Sequence, residues 1–272
     1  MARDKGLSTL GLGCSRIGSF GNPTPMAEIR RLLEAALDYG VSAFDTADIY
    51  GQGDSEREIG RLLKGRRDKG FVVTKCGQKF SAKMRLAAPF KPILKPLIMA
   101  LGKGQAVTAA REANRGAEFD PARYGTAVDA SLRRLGSDYV DGFLLHGPTA
   151  AQLTDPAHGE ALAALQRAGK VRHYGVSCDD RASLEAALAV PGLSMVELPV
   201  DVIDEAAASD LGRLLAERSV IVLAREIIRL RPTLTPVEAV RRSVADPLTQ
   251  CTIVGTSKPA HLKELVDAVA AG

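Results

Sequence analysis

Short apolar runs alternate with amphipathic segments along most of this chain. Each run has the length of a strand, and in the segment after it apolar residues recur every three to four positions, the spacing of one helix face. We count eight such strand-then-helix units. The predicted strands cover residues 7–13, 41–45, 70–76, 139–145, 171–177, 194–200, 220–224 and 252–254.

Capping signals place the helices between these strands. Thr24 is predicted to cap a helix that starts at Pro25, and Ser55 with Glu58 forms a predicted capping box for a helix over 55–64. Thr235 with Glu238 forms a second predicted box. The other helices are predicted after Asp120-Pro121, after Asp155-Pro156, after Asp179 or Asp180, from about 204 to 218, and over 259–270.

The character of the strands indicates the fold class. Strands that are apolar throughout, alternating with amphipathic helices, are typical of a parallel sheet buried on both faces. Eight units in 272 residues favour a closed (β/α)8 barrel, an α/β fold, over an open sheet. No change of composition marks a boundary, so we predict one domain over residues 1–272, with a long basic and apolar loop at about 77–118.

Composition and charge exclude several classes of protein. No apolar run approaches the length of a membrane-spanning helix, and we expect a cytoplasmic protein. The net charge of +4 is too small and too dispersed to indicate a nucleic-acid partner. Four cysteines without CxxC spacing and four scattered histidines favour buried thiols over a metal site, and we predict no metal.

Four candidate reactive residues lie at the carboxyl ends of predicted strands. These ends share one face of a barrel, so Asp45, Tyr50, Lys75 and His146 are expected to converge there. A lysine cation favours ionisation of a neighbouring tyrosine, a carboxylate holds the ammonium, and a histidine can orient a substrate oxygen. Together they would form a general acid aimed at an oxygen that gains negative charge.

Each of the four also has an ordinary structural explanation. Asp45 would then cap a strand–loop junction, Lys75 would be a strand-end cation, His146 a core histidine and Tyr50 part of a cavity wall. Their joint occurrence at these strand ends favours chemistry over four separate structural roles.

The motifs FDTADIYGQGDSE, VVTKC, DASLRRLGSDYVDGFLLH, GVS and TIVGTSKPAHLKE, in this order, resemble those of the aldo-keto reductases. The resemblance covers nearly the whole chain. It implies that Asp45, Tyr50, Lys75 and His146 are the catalytic tetrad and that NAD(P)H binds across the barrel mouth. The implied reaction passes hydride to an aldehyde or ketone, with Tyr50 as general acid.

The resemblance also assigns residues to the nicotinamide end of the cofactor. It places Ser177 at the carboxamide, with Cys178 where an asparagine is usual, Glu197 where a glutamine is usual, and Arg225 where an aromatic ring commonly stacks on the nicotinamide. A carboxylate accepts from an amide NH2 but donates nothing to its oxygen. The alternative for Glu197 and Arg225 is a mutual ion pair.

The last unit is where the family binds the phosphate on the adenosine side. Gly255, Thr256, Ser257, Lys258 and His261 surround a predicted helix N-terminus, which attracts anions. Lys258 and a nearby His261 favour NADP, with NAD as the alternative. The structural alternative is an ordinary helix cap with a surface lysine.

Residues 79–111 carry seven cations and no acid among many apolar residues. We predict a lid over the substrate, with a docking patch for a membrane surface or partner, or partial disorder, as alternatives. This segment, together with the altered cofactor contacts at Cys178, Glu197, Arg225 and Leu265, motivates a second hypothesis, a cofactor-binding regulatory or sensor protein with little turnover. A barrel isomerase or lyase using Lys75 as a Schiff-base amine is a third. The expected partner is a small carbonyl substrate, and the sequence leaves the oligomeric state open.

Overall fold

A computed structural model describes residues 6–19, 22–79 and 116–271. The barrel strands are β1 (Leu10–Gly13), β2 (Ala43–Asp45), β3 (Phe71–Cys76), β6 (Val140–His146), β7 (Val171–Ser177), β8 (Met195–Pro199), β9 (Ile221–Arg225) and β10 (Cys251–Val254). These eight parallel strands close into a barrel in the order β1-β10-β9-β8-β7-β6-β3-β2, which confirms the predicted (β/α)8 fold.

Helices cover the outside of the barrel. They are α1 (Met26–Asp38), α2 (Asp54–Leu62), α3 (Tyr124–Leu135), α4 (Ala157–Arg167), α5 (Arg181–Leu188), α6 (Val200–Ala207), α7 (Asp210–Glu217), α8 (Pro236–Val244) and α9 (Pro259–Ala270). A two-stranded antiparallel ribbon of β4 (Gln78–Lys79) and β5 (Gly116–Ala117) lies outside the barrel order.

The hydrophobic core has two layers. Side chains such as Phe71, Leu144, Met195 and Ile253 fill the barrel interior. A larger cluster, which includes Phe44, Val176 and Leu262, packs between the strands and the helices. Burial on both faces explains why the strands are apolar along most of their length.

The pairing register fixes which strand ends share a level. His146 pairs with Ser177, and Ser177 pairs with Glu197, so these three residues lie side by side on β6, β7 and β8. Across the barrel, Asp45 pairs with Gly13 on one side and Val73 on the other. The carboxyl ends of the strands therefore place the candidate residues on one rim.

The predicted capping box of α2 is wrong. The helix begins at Asp54 after Gly53, and the Ser55 hydroxyl lies 2.7 Å from that of Thr46 and donates to the Cys14 carbonyl at 3.2 Å. Glu58 accepts instead from Arg30 (2.7 Å) and Arg61 (2.9 Å). A buried serine that ties strand ends together has the same sequence signature as a helix cap.

Two further helix starts differ from their predictions. The helix predicted over 204–218 is two helices, α6 and α7, and the second begins after Ser209. Pro25 precedes α1 as its cap residue, and Thr24 supplies no side-chain cap. By contrast, the box of Thr235 and Glu238 at α8 is confirmed, with reciprocal bonds of 3.3 and 2.8 Å.

Most of the predicted lid, residues 80–111, lies outside the described residues. Its first residue, Lys79, is on the ribbon and forms an ion pair with Glu118. Within the described ranges, no helix is long and apolar enough to cross a membrane. All four cysteines are free and buried, as predicted.

Candidate active site

A polar cavity of about 410 Å³ opens at the carboxyl ends of the barrel strands. Seven of the residues predicted to form the site line it: Asp45, Tyr50, His146, Ser177, Glu197, Arg225 and Gly255. Lys75 lies just beneath, fully buried. The convergence of the four reactive side chains follows from the parallel register, because every strand delivers its last residue to the same rim.

The Lys75 ammonium lies between two carboxylates. It forms an ion pair with Asp45, lies 3.0 Å from Oε2 of Glu197, and donates to the Thr46 carbonyl at 3.1 Å. Asp45 and Glu197 are themselves buried, at 5% and 2% exposure. The Lys75 ammonium therefore has two carboxylates as its counter-ions.

The ring of Tyr50 lies over this charged cluster. Nζ of Lys75 is 5.4 Å from its centroid, and the ring of His146 meets it edge-on, with centroids 5.6 Å apart. Tyr50 opens a tight turn in which Gly51 has φ of +58°, and a Cβ there would lie 2.4 Å from the Ile17 carbonyl. Glycine after the tyrosine therefore lets the loop close against the chain that follows β1.

Burial and neighbouring charge set the protonation of the cluster. Burial and the adjacent Glu197 carboxylate raise the pKa of Asp45 to about 7, against the opposing effect of Lys75. Burial opposes the charge of Lys75, but Asp45 and Glu197 outweigh it and raise the pKa of Lys75. The ammonium therefore stays charged at neutral pH.

Tyr50 responds differently from the sequence-based expectation. Lys75 acts to lower the pKa of Tyr50, as expected, but burial is the larger effect and Asp45 and Glu197 act with it. The pKa of Tyr50 is therefore raised above its usual value of about 10. The phenol remains protonated at neutral pH, which is the form a proton donor requires.

The residues predicted to hold the nicotinamide separate into two groups. Ser177, Glu197 and Arg225 line the cavity. Cys178 does not, because its side chain is fully buried in the layer between strands and helices, where burial raises the pKa of its thiol. Glu197 and Arg225 form the alternative ion pair, with 3.4 Å between Nε and Oε1.

Arg225 is held by further contacts around the cavity mouth. It donates to the Cys178 carbonyl at 2.9 Å and to Oε1 of Glu226 at 2.7 Å, and it pairs with Asp179. These contacts connect the ends of β7, β8 and β9. A guanidinium fixed by its ion pairs thus stands where the resemblance places a stacking ring.

The loop before α9 lines a second cavity, next to the cavity that contains Tyr50. This cavity of about 70 Å³ is lined by Gly255, Thr256 and Ser257, and it shares Gly13, Ser15 and Gly255 with the first. Lys258 is the exposed cap residue of α9, and its amide donates to the Thr256 hydroxyl at 3.1 Å. His261 is exposed one turn further along. A helix N-terminus beside a lysine suits a phosphate.

Several lining residues were not predicted from the sequence. They share a simple signal, since each lies at a barrel-strand end or within two residues of one: Gly13, Ser15, Gln78, Asp179 and Glu226. Gln78 donates to the His146 carbonyl at 3.2 Å and so connects the ribbon to the end of β6. Reading two residues past every predicted strand would have found them.

The two cavities adjoin one another, because they share the lining residues Gly13, Ser15 and Gly255. One end offers the Ser177 hydroxyl and polar walls beside Tyr50, and the other is lined by Thr256 and Ser257, which directly precede the cap residue Lys258 of α9. Gly255 has no atom within 4 Å of where its Cβ would stand, so the chain leaves open space between the two ends. Among the described residues, no group of acids, cysteines and histidines has the arrangement of a metal site.

Comparison with known proteins agrees with this arrangement. The model of the Aldo/keto reductase family matches residues 9–230. The chain is 35% identical over 175 residues to 6-dehydroglucose reductase of Agrobacterium fabrum, which covers 63% of this chain and 50% of that protein. It is 28% identical over 201 residues to aldo-keto reductase YhdN of Bacillus subtilis, covering 73% and 50%. The chain spans about half the length of these curated relatives.

Solved structures share the barrel over nearly the whole chain. A putative aldo-keto reductase of Pseudomonas aeruginosa is 27% identical, with a TM-score of 0.72 over 99% of this chain and 92% of that one. An aldo/keto reductase of Klebsiella pneumoniae, in complex with NADP and acetate, has the same fold at 21% identity, with a TM-score of 0.66 over 97% and 86%. On the match of its sequence to the family model, this chain belongs to the Aldo/keto reductase family.

Proposed function

We propose that this protein is an NAD(P)H-dependent oxidoreductase that reduces an aldehyde or ketone, with Tyr50 as the general acid. The observation that carries the proposal is the meeting of Tyr50 and His146 at the cavity wall, with centroids 5.6 Å apart, above the buried pair of Lys75 and Asp45. A neutral phenol and an imidazole facing one cavity can both hydrogen-bond to a carbonyl oxygen.

Each residue of the tetrad then has a physical role. Tyr50 donates its proton to the oxygen as negative charge develops there, and the nearby Lys75 ammonium stabilises the tyrosinate that remains. Asp45 holds the ammonium in place. His146, which is 9% exposed at the end of β6, orients the carbonyl oxygen toward the tyrosine.

A nicotinamide cofactor supplies the hydride when bound. The Ser177 hydroxyl is available to its carboxamide, and the start of α9 with Lys258 is suited to its adenosine-side phosphate. Lys258 and the exposed His261 favour NADP over NAD. The fold is shared with a Klebsiella pneumoniae relative in complex with NADP, and a relative that is 35% identical is a reductase of 6-dehydroglucose, which supports a carbonyl substrate.

Replacing Tyr50 tests the proposal. Tyr50→Phe keeps the ring beside His146 but removes the acidic proton, so we expect turnover to fall by about 100-fold or more. We expect the cofactor dissociation constant to stay nearly unchanged. Turnover is measured as NADPH oxidation across a panel of aldehydes and ketones, and binding by fluorescence titration with NADPH and NADH.

Tyr139→Phe is the matched control. Tyr139 precedes β6 at the opposite end of the barrel, where its ring lies between the guanidinium groups of Arg67 and Arg172, at 4.2 and 4.1 Å. That contact needs only the ring, so this variant should keep full activity. Unchanged turnover in Tyr50→Phe would contradict the role of Tyr50 as the acid.

The ion pairs around Arg225 favour one alternative, a cofactor-binding sensor with little turnover. A guanidinium held by three carboxylates is an unusual neighbour for a nicotinamide ring. Tight NADPH binding with no oxidation on any carbonyl would favour this alternative. The Schiff-base hypothesis is disfavoured, because an amine nucleophile needs a lowered pKa, whereas Asp45 and Glu197 raise the pKa of the buried Lys75.

A further inference from the structure

Glu197 contacts both cations of the candidate site. Its Oε2 lies 3.0 Å from Nζ of Lys75, and its Oε1 lies 3.4 Å from Nε of Arg225. The residue is 2% exposed and belongs to β8, opposite β2 and β3 across the barrel. Acidic and basic side chains therefore alternate through the site, from Asp45 to Lys75, Glu197 and Arg225.

We propose that Glu197 is a positioning residue, the second counter-ion of Lys75, which fixes the ammonium near Tyr50 and offsets part of its charge there. The kinetic readout of this inference rests on the proposed reductase function. The inference replaces the predicted role of Glu197 as a contact to the cofactor amide.

Each oxygen of Glu197 faces a cation at ion-pair distance, although within the described residues Oε2 forms no hydrogen bond. One oxygen faces the ammonium and the other faces the guanidinium, and both cations are themselves held in place. Lys75 is also bound to Asp45 and to the Thr46 carbonyl. Arg225 is bound to Cys178, Asp179 and Glu226. Turning Glu197 toward a ligand would break an ion pair in a buried site, which is costly.

The position of Glu197 affects every acid around it. A buried carboxylate raises the pKa of neighbouring acids by disfavouring their ionised forms. Asp45 faces it from β2, and its pKa is raised to about 7 by burial and by Glu197. Tyr50 faces it from the loop after β2. Among the described residues, the other charged or titratable groups around this cluster are Cys14, Lys75, His146, Asp179, Arg225 and Glu226.

Glu197→Gln tests the proposal, with Glu226→Gln as the matched control. Both variants remove a carboxylate that contacts Arg225. Of the two carboxylates, only that of Glu197 also forms an ion pair with Lys75. The dependence of kcat/KM on pH is measured for each variant, together with the urea midpoint of unfolding from about pH 5 to about pH 8. NADPH affinity is measured by fluorescence titration.

We expect an inflection near neutral pH in the wild-type profile, reporting ionisation of Asp45. In Glu197→Gln this inflection should move to lower pH by about one unit, because removing a neighbouring negative charge lowers the pKa of an acid. The raised pKa of Asp45 in the native state makes stability fall as pH rises from about 4 through about 7. This fall should be shallower in Glu197→Gln and unchanged in Glu226→Gln, while the NADPH dissociation constant changes by less than about threefold.

Two further variants keep the test decisive. Glu197→Asp should restore much of the wild-type pH profile, because it returns the charge. Arg225→Gln should move the inflection to higher pH, because it removes a positive charge. This variant replaces Glu197→Gln in the test if Glu197→Gln does not fold. An unchanged pH profile and unfolding series in Glu197→Gln, with NADPH binding weakened about tenfold, would overturn the proposal in favour of a direct cofactor contact.

The two proposals fail in different ways. If none of the carbonyl compounds tested supports NADPH oxidation by the wild-type protein, the proposed reductase function is wrong. The unfolding series of the protein without cofactor still decides the role of Glu197, because it requires no turnover.

Discussion

Asp48 places a half-buried carboxyl group in the loop between Asp45 and Tyr50. Its amide donates to the Lys75 carbonyl at 3.1 Å. Among residues 6–19, 22–79 and 116–271, no donor forms a hydrogen bond to its buried Oδ1. Burial and the neighbouring Glu56 raise the pKa of Asp48 to about 7. An acid in this position costs stability when it ionises.

We expect Asp48→Asn to stabilise the protein at pH 8. Because the native pKa is raised, the stabilising effect of the protonated form is complete below about pH 4 and is lost as pH rises through about 7. The variant removes this loss, and since the side chain is only half-buried we expect a gain of about 2 kcal/mol at pH 8 and none at pH 4. Urea unfolding at the two pH values measures it.

The control for this prediction is Glu205→Gln, which changes an exposed acid on α6. It should leave the free energy of unfolding within about 0.5 kcal/mol at both pH values. If Asp48→Asn is no more stable than the wild type at pH 8, then Asp48 does not ionise at a cost in the native protein.

Single residues show both the success and the limit of sequence reasoning. The convergence of Asp45, Tyr50, Lys75 and His146 could be predicted because the carboxyl ends of parallel strands meet on one rim, whatever the details of packing. Cys178 could have been placed from the same rule, since alternation along a strand puts Ser177 and Cys178 on opposite faces. The ion pair of Glu197 with Lys75 could not, because it depends on distances across the barrel that no local pattern contains.

At the scale of elements, α2 and α3 come unusually close. A Cβ built on Gly60 in α2 would lie 2.3 Å from the carbonyl oxygen of Leu135 at the end of α3. The two helices are also joined by an ion pair between Arg134 and Glu56, and the Glu56 side chain is fully buried. Glycine at position 60 thus allows the close approach of the two helices.

We expect Gly60→Ala to destabilise the protein by about 1–3 kcal/mol, because the methyl group meets backbone that cannot move aside. Gly125→Ala in α3 is the matched control, since nothing lies within 4 Å of its Cβ position. There, the lower backbone freedom of alanine should stabilise by about 0.5–1 kcal/mol. Chemical denaturation of the three proteins side by side gives both values.

Gly60→Ala and Gly125→Ala are expected to change the free energy of unfolding in opposite directions. A general helix preference for alanine would make both variants more stable, so a stabilised Gly60→Ala protein would show that α2 and α3 can move apart at no cost.

Element ends were harder to predict than elements. The strand over 171–177 and the helix over 259–270 have the predicted bounds, because each is enclosed by clear turn and cap signals. The α2 start was misplaced, since Ser55 carries a cap sequence but is used to join strand ends. The break between α6 and α7 leaves no mark in the sequence pattern, because the apolar residues Ile203, Ala207, Leu211 and Leu215 keep a four-residue spacing across it.

At the scale of the whole molecule, the barrel turns eight separate strand ends into one ring. The unit count was readable from the sequence because each unit is local. The path from Tyr50 to Lys258 is not local, since it combines the first and last strands, which are neighbours only once the barrel has closed. The proposed cofactor would lie along this path, so the choice between NADPH and NADH can be tested on the stability of the folded barrel.

A ligand that binds only the native barrel raises its free energy of unfolding, by about 2.7 kcal/mol at 100 times the dissociation constant. We expect NADPH to raise the thermal midpoint more than NADH at equal concentration, because Lys258 and the start of α9 favour the additional phosphate. Lys258→Met should remove most of this difference while leaving the effect of NADH unchanged. Lys263→Met, on the same helix but paired with Asp267 at 2.6 Å, is the matched control and should retain the preference for NADPH. Equal shifts with both cofactors in the wild type would contradict a phosphate site at α9.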